Sequence, residues 1–334
     1  MPFDQIGGQE KAITILRHAL RNGRLAHAYL FIGPEGVGKR LTALTLFKAM
    51  NCQAPPEPED CCEKCPSCIK INTSNHADLI LLEPDGETLK IDQIRDMQRR
   101  LRFRPMEGGR RACILDSADS LNDAASNALL KILEEPPQET HLFLISSRPH
   151  KLLPTILSRC QVVKFKPLSP GQIAQILEKS QGLEKEKAHF YASLAGGSVG
   201  QAIALSDRVD FQKRLEWLQV FSHLHQKSAE EIFETCERLA KEEEIGDLLN
   251  LWKIWVRDLV VLKVRGEKTK AGLINHDLLP AAEEDAARVS FERLEGIFGS
   301  ISEIQRSLAF NVNKQQALET LMLGIRKETS AARA

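Results

Sequence analysis

An α/β domain built on a parallel sheet of five strands, followed by a small helical domain and an all-α domain, is the fold this sequence predicts. Three observations carry that expectation. Short apolar runs alternate with helix-period stretches through residue 165, the pattern of a sheet covered by helices on both faces. A glycine-rich phosphate loop, Gly33-Pro34-Glu35-Gly36-Val37-Gly38-Lys39, stands between one such run and a helix. Beyond the two prolines of Lys166-Pro167-Leu168-Ser169-Pro170, which act as breakers, no strand pattern returns.

Taken in order, residues 12–20 read as the first helix and residues 29–32 as the strand that feeds the phosphate loop. Further strands are expected at 79–82, 112–115, 141–145 and 161–165, with helices at 91–101 and 123–134 between them. A small helical unit spans 171–205, with Gly196-Gly197 as a turn near its end. From 206 onward apolar residues recur at helical spacing. Phe211, Leu215 and Leu218 mark one expected face, and Ile232, Phe233, Cys236 and Leu239 a second. Leu248, Trp252, Trp255 and Leu259 mark a third, and Phe291, Leu294, Phe298 and Ile301 a fourth. The Trp252/Trp255 pair reads as core.

The 334 residues suffice for two or three domains. Lys plus Arg and Asp plus Glu each total 45, so the net charge is zero. That balance argues against a free-standing, non-specific DNA binder and leaves contact within an assembly open. No leader pattern stands at the start and no apolar run approaches membrane-spanning length, so a cytoplasmic protein without membrane contact is expected.

In a phosphate loop, backbone N–H groups close around phosphate oxygens and the lysine, here Lys39, answers their charge. Gly33, Gly36 and Gly38 supply the loop's freedom. The next position needs a hydroxyl for Mg²⁺, and it is Arg40, a cation with no lone pair to offer. The strand at 112–115 leads into Asp116, placed to face a metal shell. Ser117 follows where related hydrolases carry the glutamate that activates water, and Asp119 is a weak substitute three residues on. Two losses point the same way: nucleotide is not expected to be hydrolysed here, although the loop and Lys39 can still hold a phosphate.

Five of the eight cysteines fall between 52 and 68. In a reducing compartment such a cluster indicates metal. Cys62, Cys65 and Cys68, with Cys52 upstream, offer four thiolates for a closed, structural zinc site. Cys61 adjoins Cys62 and could take its place. Finally, Ser158-Arg159-Cys160 places an arginine at the edge of the sheet domain. It is either a surface salt-bridge partner or a finger that reaches a neighbouring subunit's γ-phosphate, and the residues alone leave both open.

Together these residues resemble the bacterial DNA polymerase III clamp-loader family, of AAA+ type, and within it the δ′ branch. The most specific stretches are His27-Ala28-Tyr29-Leu30-Phe31-Ile32-Gly33-Pro34, the cysteine loop, Asn127-Ala128-Leu129-Leu130-Lys131-Ile132-Leu133-Glu134-Glu135-Pro136-Pro137, and Leu153-Pro154-Thr155-Ile156-Leu157-Ser158-Arg159-Cys160. The resemblance covers essentially the whole chain. It implies an AAA+ domain at 1–165 with a zinc-binding insertion at about 52–68, a helical lid at 166–206 and a helical collar at 207–334 through which five related subunits assemble. The implied role lies in DNA replication, supporting ATP-dependent loading of the β sliding clamp onto primer-template DNA beside the γ/τ motor subunits and δ.

Members of the δ′ branch generally do not hydrolyse ATP, so the resemblance implies no enzyme on its own but a component of the DNA-directed DNA polymerase holoenzyme. ATP and Mg²⁺ would be bound by neighbours. Arg159, flanked by Ser158 and Cys160, matches the arginine that completes a neighbour's site in trans, and the zinc thiolates map onto Cys52, Cys62, Cys65 and Cys68. Gly200 stands where the lid of a motor subunit carries an arginine. The alternative is an ATP-hydrolysing motor subunit or helicase loader. A zinc-dependent nucleic-acid-binding module is a third class, against which the balanced charge counts.

Overall fold

The computed structural model describes residues 2–107, 109–242, 245–265, 272–308, 310 and 312–330. They fall into two compact units, one of residues up to 181 together with 196–201, the other of 182–195 and 202 onward. Residues 166–206 thus contribute to both.

The first unit holds the sheet: β1 (Ala28–Ile32), β2 (Leu79–Leu82), β3 (Arg111–Leu115), β4 (Thr140–Ser146) and β5 (Gln161–Lys164). Its order is β2-β3-β4-β1-β5 and every pairing is parallel. Parallel neighbours need crossovers, and the helices that make them cover both faces. Between the strands lie α2 (Lys39–Asn51), α3 (Pro66–Asn72), α4 (Ile91–Leu101), α5 (Asp123–Glu134) and α6 (Pro154–Leu157), while α1 (Glu10–Arg21) precedes β1 and α7 (Pro170–Gln181) follows β5. All residues of β3 and β4 are buried, as their near-continuous apolar sequence requires.

The two-residue alternation of a strand divides β1 between two cores. Ala28 and Leu30 pack with Leu142, Leu144, Ile94 of α4 and Leu129 of α5. Tyr29 and Phe31 point the other way, where the Tyr29 and Phe143 rings stack at 5.8 Å and Phe31 tilts against Phe165 at 5.1 Å. The expected strands are all present, and the helices at 91–101 and 123–134 fall where the apolar period places them.

The second unit is entirely helical among the described residues. It comprises α8 (Lys185–Leu194), α9 (Val199–Arg208, whose first turn belongs to the first unit), α10 (Phe211–Ser222), α11 (Ala229–Ala240), α12 (Ile245–Arg265), α13 (Leu279–Arg288), α14 (Phe291–Leu308) and α15 (Lys314–Ser330). A reciprocal capping box of Ser228 and Glu231 starts α11. Trp252 and Trp255 are core residues, and each indole N–H finds a buried acceptor: the Trp217 carbonyl at 2.8 Å and Asp285 Oδ2 at 2.9 Å. Three of the expected inward residues instead face solvent. Phe233, Phe291 and Phe298 are 43%, 46% and 42% exposed, while Ile232, Leu294 and Ile301 beside them fill the core. Each helix needs only a narrow apolar stripe to close this core, and these phenylalanines flank it.

Arg214 of α10 is the unit's chief buried charge. It lies between the Phe190 and Phe211 rings at 5.1 and 5.2 Å, donates to Asn275 Oδ1, and forms a two-pronged pair with Asp277 at 2.6 and 2.8 Å. Removing one partner of such a pair strands the other and costs about 3–5 kcal/mol. Arg214→Ala is therefore expected to lower the denaturation midpoint clearly. All three tryptophans, Trp217, Trp252 and Trp255, lie in this unit, so intrinsic fluorescence reads it without the sheet. A midpoint equal to wild type would contradict the role given to this arginine.

Candidate nucleotide site and metal centre

The phosphate loop links β1 to α2 at the carboxyl ends of the strands, where ligands of parallel sheets sit. Gly36 and Gly38 have φ of 68° and 97°, left-handed values that favour glycine. A Cβ on Gly36 would lie 2.2 Å from Ser198 Oγ, because the 196–201 turn rests on the loop and the Gly200 N–H donates to the Gly36 carbonyl at 3.0 Å. The cavity here, about 380 Å³, is lined by Gly36, Gly38, Lys39, Arg40, Asp116 and Ser117 among others. The structure therefore brings together the phosphate-loop residues and the strand carboxylate singled out from sequence. The Lys39 ammonium is nearly buried and donates to the carbonyls of Gly33 and Pro34. Burial pushes it below the usual lysine range, with Asp116, Glu35 and Asp119 opposing.

Arg40 lies where a metal shell would be expected. Its guanidinium reaches Asp116 Oδ2 at 3.3 Å and pairs with Glu83 Oε1, bridging two carboxylates. A fixed cation there answers the charge that Mg²⁺ would answer and supplies no ligand oxygen. Ser117 follows in a left-handed conformation, φ 53° and ψ 49°, its amide donating to Asp116 Oδ1 at 3.0 Å. Asp119 is fully engaged elsewhere: it accepts from Ser146 Oγ at 2.8 Å, the Ser147 amide at 3.1 Å and Arg148 Nε at 2.9 Å. Burial alone would push its carboxyl up, but those bonds hold it below the usual range. As a charged, fully bonded acceptor it is poorly placed to take a proton from water. Glu83 and Ser146 went unnoticed in the sequence. Their signal was positional, since each stands at the carboxyl end of a parallel strand, as Asp116 does.

Arg159 lies on the surface beyond α6, distinct from this cavity. Its guanidinium donates to the Thr155 carbonyl at 3.0 Å and pairs with Glu134 Oε1 of α5 at 2.8 Å. The salt-bridge reading of this residue is thus met within the chain. Ser158 Oγ donates to the same carbonyl at 3.1 Å, and burial pushes the Cys160 thiol up to about 12, so it remains protonated.

Between α2 and β2, the Sγ atoms of Cys52, Cys62, Cys65 and Cys68 all lie within 4.8 Å of one another. Four thiolates bonded at 2.3 Å to one tetrahedral ion would stand about 3.8 Å apart, so the donor set fits a closed metal site. The Cys62 and Cys65 amides point at the Cys52 and Cys62 sulfurs at 3.3 Å; such bonds favour the thiolate at Cys62, whereas at Cys52 burial outweighs them and pushes the thiol up. Cys61 turns away, its Sγ donating to Glu63 Oε1 at 3.2 Å. Glu63 in turn receives the buried Lys48 ammonium of α2 and the Asn72 amide of α3, tying the cysteine loop to both helices. The loop's own apolar cluster is just its five cysteines. Among the described residues that cluster holds no larger apolar side chain, so a metal on the four sulfurs would add a staple to the ties made by Glu63.

A five-stranded parallel sheet with a phosphate loop after β1, the strand between β4 and β5, capped by a helical turn, defines a P-loop domain of AAA+ type. A family model described as "DNA polymerase III, delta subunit" matches residues 8–169, and another, "DNA polymerase III, delta subunit, C terminal", matches 209–327. The chain is 32% identical over 323 residues to the DNA polymerase III subunit delta′ of Bacillus subtilis, covering 94% of this chain and 95% of that one. It is 40% identical over 178 residues to the delta′ subunit of Pseudomonas aeruginosa, covering 52% and 53%. The tau subunit of Escherichia coli is 35% identical over 212 residues, 62% of this chain and 32% of that protein. A solved gamma subunit-related protein from Thermotoga maritima aligns over 95% of this chain and 99% of that one, at 20% identity and a TM-score of 0.45. The chain belongs to the δ′ family of DNA polymerase III clamp-loader subunits. No described helix is long and apolar enough to cross a membrane.

The four-sulfur geometry makes a clear expectation. Elemental analysis of the natively purified chain should find one metal equivalent; Cys65→Ser should lose it and melt at lower temperature, while Cys61→Ser should retain it. Equal metal content in both variants would refute the assignment of ligands.

Proposed function

We propose that this chain is a non-hydrolysing clamp-loader subunit in DNA replication, supporting ATP-dependent loading of the β sliding clamp onto primer-template DNA. On this reading it works in the cytoplasm beside the γ/τ motor subunits and δ. Residues 1–165 act as a degenerate AAA+ domain, 166–206 as lid and 207–334 as the collar that joins the assembly. The metal held by Cys52, Cys62, Cys65 and Cys68 is structural zinc, since four protein ligands leave no open position.

The observation that carries the reading is the Arg40–Asp116 contact. Hydrolysis needs a metal ion beside Asp116 and a base after it. The first place holds a guanidinium and the second a serine, which also disfavours a motor subunit or helicase loader. Gly33, Gly36, Gly38 and Lys39 then form an inherited cradle. The chemical contribution shifts to Arg159, which exchanges its exposed Glu134 partner for the γ-phosphate on a neighbouring subunit. A surface pair of this kind is worth about 0–1 kcal/mol, so it opposes that exchange little.

Two measurements test the proposal. The isolated chain should turn over ATP no faster than its Lys39→Ala variant. In a reconstituted loader, Arg159→Ala should reduce turnover at the adjacent motor site by roughly 10³-fold or more, the scale of a lost arginine finger. Undiminished clamp- and DNA-stimulated hydrolysis at saturating ATP would exclude the trans role.

A further inference from the structure

At the amino ends of β1, β3 and β4, away from the phosphate loop and the cysteines, lies a cavity of about 250 Å³. His27 stands just before β1, Arg110 just before β3, and His141 is the second residue of β4; Glu139, Pro136 and Pro137 complete the wall. Backbone bonds fix this wall. The His27 carbonyl accepts from the Leu142 amide at 2.8 Å and the Glu139 carbonyl from the Arg111 amide at 2.7 Å. The Arg110 amide and carbonyl are both held by the Asn51 side chain, at 2.8 and 3.0 Å. The side chains, by contrast, are left with unused donors. His141 is 9% exposed, and its Nδ1 donates to the Ala26 carbonyl at 2.9 Å, so Nε2 has no hydrogen-bond partner among the described residues. The exposed His27 ring makes no hydrogen bond among them, and neither does the Arg110 guanidinium, whose Nε lies 3.6 Å from the exposed Glu139 carboxylate. Arg111 shows what a satisfied neighbour looks like. It is 4% exposed, lies 3.4 Å from buried Asp78, and donates to the carbonyls of Arg100, Phe103 and Arg104 at 3.1, 2.9 and 2.9 Å.

We propose that this cavity binds a small phosphate-type oxyanion between Arg110, His27 and His141. The planar fork of an arginine matches two oxygens of such an ion, and two protonated imidazoles add charge-assisted donors. The anion supplies the acceptors that all three side chains lack, while Glu139 turns its exposed carboxylate to solvent. Burial pushes the His141 ring below the usual histidine range against the Ala26 bond, and Arg110 and His27 push it further while Glu139 opposes. An anion among these groups offsets that crowding of positive charge. A metal cation fits less well: Arg110 keeps its charge, and among the described residues only the four cysteines bring three donor atoms together. The cavity shares no lining residue with the nucleotide site, so it stands or falls apart from the function proposed above.

The test follows histidine ring resonances of the full chain by NMR, with His27 and His141 assigned from His27→Gln and His141→Gln. Sulfate is the first probe because it stays a dianion throughout the neutral range. It should move both resonances along one saturable curve, with affinity rising as pH falls and the rings gain protons. Arg110→Gln should melt as wild type does and bind about tenfold or more weakly, the scale of a lost charge-assisted hydrogen bond. Glu139→Gln, which removes the competing carboxylate, should bind more tightly, and Lys39→Ala should leave the shifts unchanged. Inorganic phosphate and adenosine 5′-monophosphate are then compared. Phosphate binding alone identifies a free ion; binding of both identifies a phosphate group that can carry an organic substituent. Shifts that never saturate, that persist at full affinity in Arg110→Gln, or that vanish in Lys39→Ala would overturn the site.

Discussion

Burial of one parallel sheet on both faces is the constraint from which the rest of the first unit follows. Because β3 and β4 have no exposed residue, their polar neighbours gather at the two strand ends. At the carboxyl ends stand the phosphate loop, Glu83, Asp116 and Ser146. At the amino ends stand Asp78, Arg111 and, through the bonds of the Asn51 side chain to the Arg110 backbone, the start of the cysteine loop. Helix α2 spans these poles, with Lys39 and Arg40 at its start and Lys48 near its end. One helix thus supplies the cation that meets Asp116 and the buried cation that meets Glu63.

Charge neutralisation is handled differently at the two poles. At the carboxyl ends, on the proposed reading, a guanidinium tethered to the chain stands in the place of a diffusible ion. At the amino ends the Asp78–Arg111 pair satisfies backbone groups and gives a connection the stiffness of a regular element. Both arrangements use buried or half-buried ions as fixed geometry.

Much of this was legible in the sequence. Strand and helix placement followed from apolar period, and Gly36, Gly38, Lys39, Arg40, Asp116 and Ser117, singled out from the sequence, line one cavity. What escaped depended on partners distant in sequence. Spacing alone left Cys61 and Cys62 equivalent; the bond to Glu63, itself held by Lys48, separates them. Helical periodicity gave a direction for Phe233, Phe291 and Phe298 but not the width of the stripe that neighbouring helices cover. Arg111 read as the flank of a strand, and nothing in its local sequence announced that it would hold three carbonyls of the preceding loop.

Gly200 sets a steric limit on the turn that covers the phosphate loop. Its amide is bonded to Gly36, and any side chain at 200 would bring a Cβ within 3.0 Å of the Gly36 Cα. Whatever stands at 40 and 117, a side chain at 200 therefore requires the glycine loop to move aside. The contact couples two positions far apart in sequence: what stands at 200 is limited by the conformation of the phosphate loop it rests on.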